Sequence, residues 1–201
     1  MKILLVRHGI TDLHTGDRFW GRTDMPLSPA GIRQAERLRD RLALEKIDAV
    51  YASPLRRAYK TAEIIAAGHQ VAINACEDLC ECNFGEIEGL NFDEIKQRYP
   101  ALAGELSRRR TGAFPGGETI EQLNARVLAF LKTLEKHRTE ETLLVVAHGG
   151  PVRLLICNLL GLGLEYWIQF RIDYASLSIV ETYPGMNILD LCNDVSHLKE
   201  H

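Results

Sequence analysis

Short runs of consecutive apolar residues alternate along the chain with longer segments whose apolar residues recur every three or four positions. The first run, ILLV at residues 3–6, is unbroken, as is typical of a strand buried on both faces of a parallel sheet. TLLVVAHGG at residues 142–150 repeats this pattern and also ends in histidine and glycine. Further strands are predicted at residues 47–52, 71–74 and 177–180, and a turn at Pro184 and Gly185 predicts a hairpin into residues 188–191.

Helical periodicity fills the segments between these strands. Ser28 and Pro29 are typical of a helix start, and a buried stripe follows at Ile32, Ala35, Leu38 and Leu42. Other helices are predicted after Ser53 and Pro54, over residues 91–99, and after PGGET at residues 115–119. Alternating strands and helices favour an α/β fold, with helices on both faces of a mostly parallel central sheet in a three-layer α/β/α sandwich.

Length and composition narrow the class of protein. The 201 residues contain no Ser/Gly/Pro-rich linker, so one domain is expected over residues 1–201, with a flap at 90–115 that carries Arg108, Arg109 and Arg110. A net charge of −3 provides no basic field for nucleic acid. Without an 18-residue apolar run or a signal-peptide pattern, we expect no membrane partner and a cytoplasmic protein. The oligomeric state stays open.

Cysteine usage fits the same compartment. The chain has five cysteines, an odd number, and no C-x-x-C motif, so reduced thiols are expected rather than a disulfide framework. Three of them, Cys76, Cys80 and Cys82, lie close together in sequence. No histidine motif accompanies them, and we therefore expect no structural metal there.

Candidate chemistry lies where strands end. Arg7 and His8 follow the first strand, and His148 follows its later counterpart. Ligands bind at the carboxyl ends of strands in open α/β sheets, so a cation and an imidazole there indicate an anion site. Considered alone, His8 also fits a loop histidine bonded to a carbonyl group. Arg56 and Arg57 fall in the first turn of a predicted helix, where backbone donors favour an anion, although at least one of the pair is expected to be a surface residue.

Such a sheet could bring together Arg7, His8, Arg57, Glu81 and His148. Arginines and a second histidine match the non-bridging oxygens of a phosphoryl group, a neutral His8 could attack phosphorus, and a glutamate could protonate the leaving alcohol and then activate water. Motifs of P-loop nucleotide hydrolysis, dinucleotide binding, zinc peptidases and serine hydrolases are absent from the sequence. The mechanism that remains is metal-free transfer of a phosphoryl group through a histidine.

Six motifs occur in the same order as in a known family. By these motifs the chain resembles the histidine phosphatase superfamily, which includes the cofactor-dependent phosphoglycerate mutases. The motifs are VRHG at 6–9, DMPLSPAG at 24–31, SPLRRAYKTA at 53–62, ECNFGEIEG at 81–89, PGGET at 115–119 and AHGG at 147–150. The resemblance implies a phosphoglycerate mutase-like fold. It also implies phosphorylation of His8, phosphoryl binding by Arg7, Arg57 and His148, and proton donation by Glu81.

The resemblance implies further substrate-binding residues and two departures from the family pattern. Thr11 stands at the position of a phosphate ligand, and backbone groups near Gly21 and Gly149 are expected to assist. The family often has glutamate or a small polar residue where this chain has Ile10, and usually an asparagine ligand where it has His14. The implied partner is a small phosphate ester, and neither a metal nor another cofactor is expected.

Hydrolysis is favoured over isomerisation by the residues after GLN at 89–91. Mutases carry a lysine next, for the substrate carboxylate, and this chain has Phe92. Within the family, residues 160–181 are most similar to α-ribazole phosphatases, which remove the 5′-phosphate of a nucleoside in cobalamin nucleotide-loop assembly. The alternatives are a broad-specificity sugar-phosphate phosphatase, then a phosphoglycerate mutase, or a non-catalytic phosphate-binding protein, the last motivated by Ile10 and His14.

Overall fold

The computed structural model describes residues 1–13, 18–107 and 113–199, which fold around one six-stranded sheet. The strands are β1 (Lys2–Arg7), β2 (Ala49–Ala52), β3 (Ile73–Ala75), β4 (Thr142–Ala147), β5 (Leu177–Tyr183) and β6 (Met186–Asp194). The α-helices are α1 (Pro29–Leu42), α2 (Arg56–Ala66), α3 (Phe92–Arg98), α4 (Pro100–Ser107), α5 (Ile120–Leu134) and α6 (Gly149–Leu159).

The sheet is mostly parallel, as predicted, and its order is β3-β2-β4-β1-β5-β6. Strands β3, β2, β4 and β1 run parallel, while β5 pairs antiparallel with β1 and β6 antiparallel with β5. The predicted final hairpin is confirmed, with Tyr183 paired to Met186 across the turn. Gly185 adopts φ +78° there, a conformation that glycine reaches without steric cost.

Helices cover both faces of the sheet, which confirms the three-layer prediction. Side chains alternate along β1, so Ile3 and Leu5 pack in the core formed with α5 and α6, while Leu4 and Val6 pack in the core formed with α1 and α2. All four are at most 1% exposed. Full burial of such a side chain stabilises the fold by about 1.5–3 kcal/mol. Because its two faces pack in different cores, β1 contributes to both.

Helix α1 begins where it was predicted, but its first buried residue differs from the prediction. Ser28 caps it, accepting a hydrogen bond from the Gly31 amide at 3.0 Å. Ile32, expected in the buried stripe, is 37% exposed, and Gly31 is buried instead. A Cβ on Gly31 would lie 2.0 Å from the carbonyl oxygen of Ile10, so only glycine lets the loop after β1 pass this closely.

Two helices occupy residues 92–107 of the predicted flap. Asn91 and Glu94 form a capping box at the start of α3, and α4 begins on Pro100, since a proline in the first turn sacrifices no intrahelical bond. Ile95 and Ala103 are buried in the α5 and α6 core. Arg108, Arg109 and Arg110 lie outside the described residues, and the flap stays a prediction. Across the described ranges, no helix has both the length and the apolarity needed to span a bilayer.

Candidate active site

Two histidines meet where β1 and β4 end. The strands are parallel neighbours and Arg7 pairs with Ala147, so the residues that follow, His8 and His148, emerge side by side at the carboxyl edge of the sheet. Their ring centroids are 4.9 Å apart at an interplanar angle of 61°. His8 is 5% exposed and His148 is fully buried, so the fold holds both rings in a largely desolvated position.

The hydrogen bonds of His8 define its tautomer. Its Nδ1 lies 2.7 Å from the carbonyl oxygen of Gly9, which can only accept, so Nδ1 carries the proton. On the other side of the ring, Arg57 donates through Nε to Nε2 of His8 at 3.2 Å. A nitrogen that accepts a hydrogen bond carries a lone pair and no proton, and Nε2 is therefore the unprotonated nitrogen of this ring.

Arg57 is held from three directions. It lies in the first turn of α2, is 2% exposed, and donates through its two terminal nitrogens to the carbonyl oxygens of Thr23 at 2.8 Å and Gly21 at 2.7 Å. Burial lowers the pKa of its guanidinium group, although an arginine remains charged at neutral pH. Its neighbour Arg56 is exposed, so only one of the pair enters the site, as expected.

Glu88 fixes the loop that receives Arg57. One carboxylate oxygen accepts from the amide of Arg22 at 2.6 Å, and the other accepts from the amide of Thr23 at 2.9 Å and from the Thr23 hydroxyl group. Gly21 leaves no room for a side chain, because its Cβ would lie 2.1 Å from the Cys82 carbonyl oxygen and 2.7 Å from the Glu88 carboxylate. The carbonyl groups that hold Arg57 are thus themselves positioned by a carboxylate.

His148 is neutral at physiological pH. Burial, reinforced by the charges of Arg57 and Arg7 and by His8, holds the pKa of its imidazole well below the ordinary value. Its Nε2 lies 2.9 Å from the hydroxyl oxygen of Ser53, and its buried Nδ1 has no hydrogen-bond partner among the described residues.

Arg7 supplies a second cation beside the histidines. Its guanidinium carbon lies 3.6 Å from the ring centroid of Tyr174, and one terminal nitrogen donates to the carbonyl oxygen of Ile172 at 2.7 Å. Its buried Nε has no partner within the described ranges. Gly149, the first residue of α6, lies against it, since a Cβ there would be 3.8 Å from the Arg7 guanidinium carbon.

Glu81 points its carboxylate to the start of α6. Both of its oxygens accept from the Gly150 amide at 3.2 Å, and one also accepts from the Cys82 amide at 2.9 Å. Arg126 donates to the Glu81 carbonyl oxygen at 3.0 Å and forms a bidentate pair with Glu118. The side chain is 9% exposed, so one acidic group borders the histidine and arginine cluster with limited access to water.

The remaining predicted ligands are distributed around this cluster. Thr11 is buried and its backbone bridges to Leu27, and Gly21 contributes its carbonyl group to Arg57. His14 lies outside the described residues. The structure thus brings Arg7, His8, Arg57, Glu81, His148 and Gly149 to one edge of the sheet.

A cleft of about 310 Å³ lies beside this cluster. Its lining includes the predicted Arg7, Glu81 and Gly149. Six other lining residues were missed by the sequence analysis: Arg18, Phe19, Trp20, Phe84, Arg153 and Tyr174. Arg153 was accessible to prediction, because it follows Gly149 by one helical turn and therefore shares its face of α6. The aromatic residues come from separate loops and had no comparable signal.

A model of the histidine phosphatase superfamily, branch 1, matches residues 3–195. The chain belongs to this superfamily. As a histidine phosphatase it is an enzyme whose substrates are small phosphate esters.

Named relatives of this histidine phosphatase differ in substrate. Phosphoserine phosphatase 1 of Hydrogenobacter thermophilus is 31% identical over 201 residues, covering 100% of this chain and 95% of the relative. The adenosylcobalamin/α-ribazole phosphatase of Escherichia coli is 30% identical over 198 residues, covering 94% and 96%. A crystal structure of a putative α-ribazole-5′-P phosphatase from Escherichia coli superposes with a TM-score of 0.89 at 28% identity, over 96% of each chain.

Proposed function

We propose that the enzyme hydrolyses phosphomonoesters through a phosphohistidine formed at Nε2 of His8. The observation that carries this proposal is the pair of hydrogen bonds that places the proton on Nδ1, facing Gly9, and leaves the Nε2 lone pair beside Arg57. In the first step Nε2 attacks phosphorus and the bond from phosphorus to the ester oxygen breaks. Protonated Glu81 gives its proton to the departing oxygen, so the leaving group departs as an alcohol.

The second step releases phosphate. Ionised Glu81 takes a proton from water as the water oxygen attacks phosphorus, the bond from phosphorus to Nε2 breaks, and Glu81 is protonated again. Arg7, Arg57, His148 and the Gly149 amide provide donors for the non-bridging oxygens. Donors fixed in a desolvated site stabilise developing charge with little reorganisation. Thr11 and His14 are retained as proposed phosphate ligands.

The first candidate substrate is α-ribazole 5′-phosphate, as in cobalamin nucleotide-loop assembly. Support comes from the sequence similarity of residues 160–181 and from the α-ribazole phosphatases among the named relatives. The cleft adds a physical reason, since Phe19, Trp20 and Phe84 line it and aromatic side chains bind a flat heterocycle by stacking.

The second candidate substrate is phosphoserine, favoured by Arg153. This half-buried cation donates through Nε to the Phe170 carbonyl oxygen at 2.8 Å, and it forms no ion pair with a carboxylate among the described residues. A half-buried cation without a direct ion pair favours a ligand that brings its own negative charge, such as the carboxylate of an amino acid. Phosphoserine phosphatase 1 is the corresponding relative.

Trapping of the phosphoenzyme tests the chemistry. Wild-type enzyme quenched during turnover of a ³²P-labelled ester should carry label that is stable in alkali and lost in acid. His8→Ala should carry none, whereas His69→Ala, which changes a histidine after α2, should be labelled normally. Label that persists in His8→Ala, or turnover without any labelled protein, would overturn the proposal.

A kcat/KM panel tests the substrate. The compounds are α-ribazole 5′-phosphate, O-phospho-L-serine and ribose 5-phosphate. The highest kcat/KM for α-ribazole 5′-phosphate supports the first candidate. The highest kcat/KM for phosphoserine, lost in Arg153→Met, supports the second. Equal rates on all three would contradict both candidates in favour of broad specificity, and turnover of none of them would overturn both candidates.

A further inference from the structure

Ser53 is a buried residue next to the active site, and the proposed mechanism gives it no role. It directly follows β2, is completely buried, and places its hydroxyl oxygen 2.9 Å from Nε2 of His148. Two neighbours compete for the same hydroxyl group. The Leu55 amide donates to it at 3.3 Å, and the Cys80 sulfur lies 3.5 Å away as an acceptor.

A neutral imidazole carries one ring proton, so two arrangements are compatible with this contact. In the first, Nε2 of His148 donates to Ser53, whose hydroxyl proton then goes to the Cys80 sulfur, and Nδ1 is left with a lone pair. In the second, the Ser53 hydroxyl donates to Nε2, and Nδ1 carries the proton. The two arrangements give the buried Nδ1 opposite roles toward an anion.

The acceptors available to Ser53 favour the second arrangement. An imidazole lone pair at 2.9 Å is a stronger acceptor than a thiol sulfur at 3.5 Å, which is only a weak one. The Leu55 amide already occupies a lone pair of the Ser53 oxygen, so that oxygen is better placed to donate than to accept again. The Cys80 thiol has its own acceptor in the Glu77 carboxylate at 3.4 Å.

The ligand favours the same arrangement. Nδ1 of His148 is buried and has no partner among the described residues, and the ring lies 4.9 Å from the His8 ring, which accepts a hydrogen bond from Arg57. An anionic phosphoryl oxygen would be repelled by a lone pair at Nδ1 and attracted by an N–H group. We propose that Ser53 is a positioning residue that donates to Nε2 of His148 and thereby keeps the proton on Nδ1, where it is directed at the phosphoryl group.

This inference rests on the proposed function, and nitrogen NMR separates the two. The chemical shifts of ¹⁵N-labelled histidine rings distinguish protonated from unprotonated nitrogens, with the His148 signals assigned by their loss in His148→Gln. With inorganic phosphate bound, wild-type enzyme should show a protonated Nδ1 and an unprotonated Nε2. The opposite assignment would overturn the proposal for Ser53 even if trapping confirms phosphorylated His8.

Variants supply the kinetic test. Ser53→Ala should lower kcat and weaken inorganic phosphate binding by about ten- to a hundredfold, because the Nδ1 donor is no longer selected. Ser53→Thr, which keeps a hydroxyl group, should recover part of the loss. Ser178→Ala, which removes an equally buried serine whose oxygen accepts from the Asn193 amide, should leave both constants unchanged. Should Ser53→Ala bind phosphate and turn over like wild type, Ser53 has no such role.

Discussion

Replacing Glu88 by glutamine tests whether the carboxylate that holds residues 21–23 controls Arg57. Among the described residues, three groups donate to the carboxylate: two backbone amides and the Thr23 hydroxyl group. Glutamine has nearly the same shape but presents one acceptor and one donor. At least one amide would then face an N–H group and lose its bond, which loosens the carbonyl groups of Gly21 and Thr23.

The magnitude follows from the bonds that are lost. A hydrogen bond to a charged group contributes about 1.5–3 kcal/mol, and the solvent exposure of Thr23 places this site at the lower end. A loss of about 1.5 kcal/mol in the placement of Arg57 corresponds to roughly a tenfold lower kcat/KM. Because Arg57 also binds His8, weaker affinity for vanadate or phosphate should accompany the slower turnover.

The assay is steady-state hydrolysis of an aryl phosphate, with phosphate affinity by calorimetry and the melting temperature measured in parallel. Glu86→Gln is the matched control, because Glu86 lies two residues before Glu88, in the short 3₁₀ helix Gly85–Ile87, and accepts from the Tyr99 hydroxyl at 2.8 Å, away from Arg57. The kcat/KM of Glu86→Gln should stay within twofold of wild type. A Glu88→Gln enzyme with unchanged kcat/KM, or an equal loss in Glu86→Gln, would refute the reasoning.

Two further predictions concern buried groups of the site. Burial holds the pKa of His148 below its ordinary value of 6.5, so below about pH 6.5 the His148 side chain is protonated in the unfolded chain but stays neutral in the folded chain. The free energy of unfolding should therefore fall by up to about 1.4 kcal/mol per pH unit as the pH is lowered. Urea titrations should find a shallower decline in His148→Gln. Gly150→Ala should slow turnover at least roughly tenfold, because its Cβ would lie 2.4 Å from a Glu81 carboxylate oxygen. Its melting temperature should change little, since alanine favours a helix, and an unchanged kcat would contradict the placement of Glu81.

Patterns with a fixed period predicted the fold well. The unbroken apolar runs before His8 and His148 predict buried strands, and parallel neighbours end at the same edge, so the meeting of the two histidines could be anticipated. Arg57 was foreseeable for a similar reason, since the first turn of a helix after a strand points to that edge.

Side-chain contacts between distant segments could not be read from periodicity. Ser53 followed by Pro54 is typical of a helix start, yet α2 is preceded by Leu55 as its cap residue, and the Ser53 hydroxyl is directed at His148 instead. Glu88 lies in the motif ECNFGEIEG, from which the sequence analysis assigned a role only to Glu81. Its three donors lie 65 or 66 residues away in sequence, and no local pattern marks that pairing.

The position of β1 in the sheet also has a consequence for how the chain is made. Its neighbours are β4, which begins about 140 residues downstream, and β5, which follows later still. At a synthesis rate of roughly 5–20 residues per second, the ILLV run emerges on the order of ten seconds or more before either neighbour exists. During that interval β1 has neither of its neighbouring strands, although α1 and α2 can already cover Leu4 and Val6. The unpaired edges of β1 make the ribosome-bound chain a natural client for chaperones, and His8 meets His148 only near the end of translation.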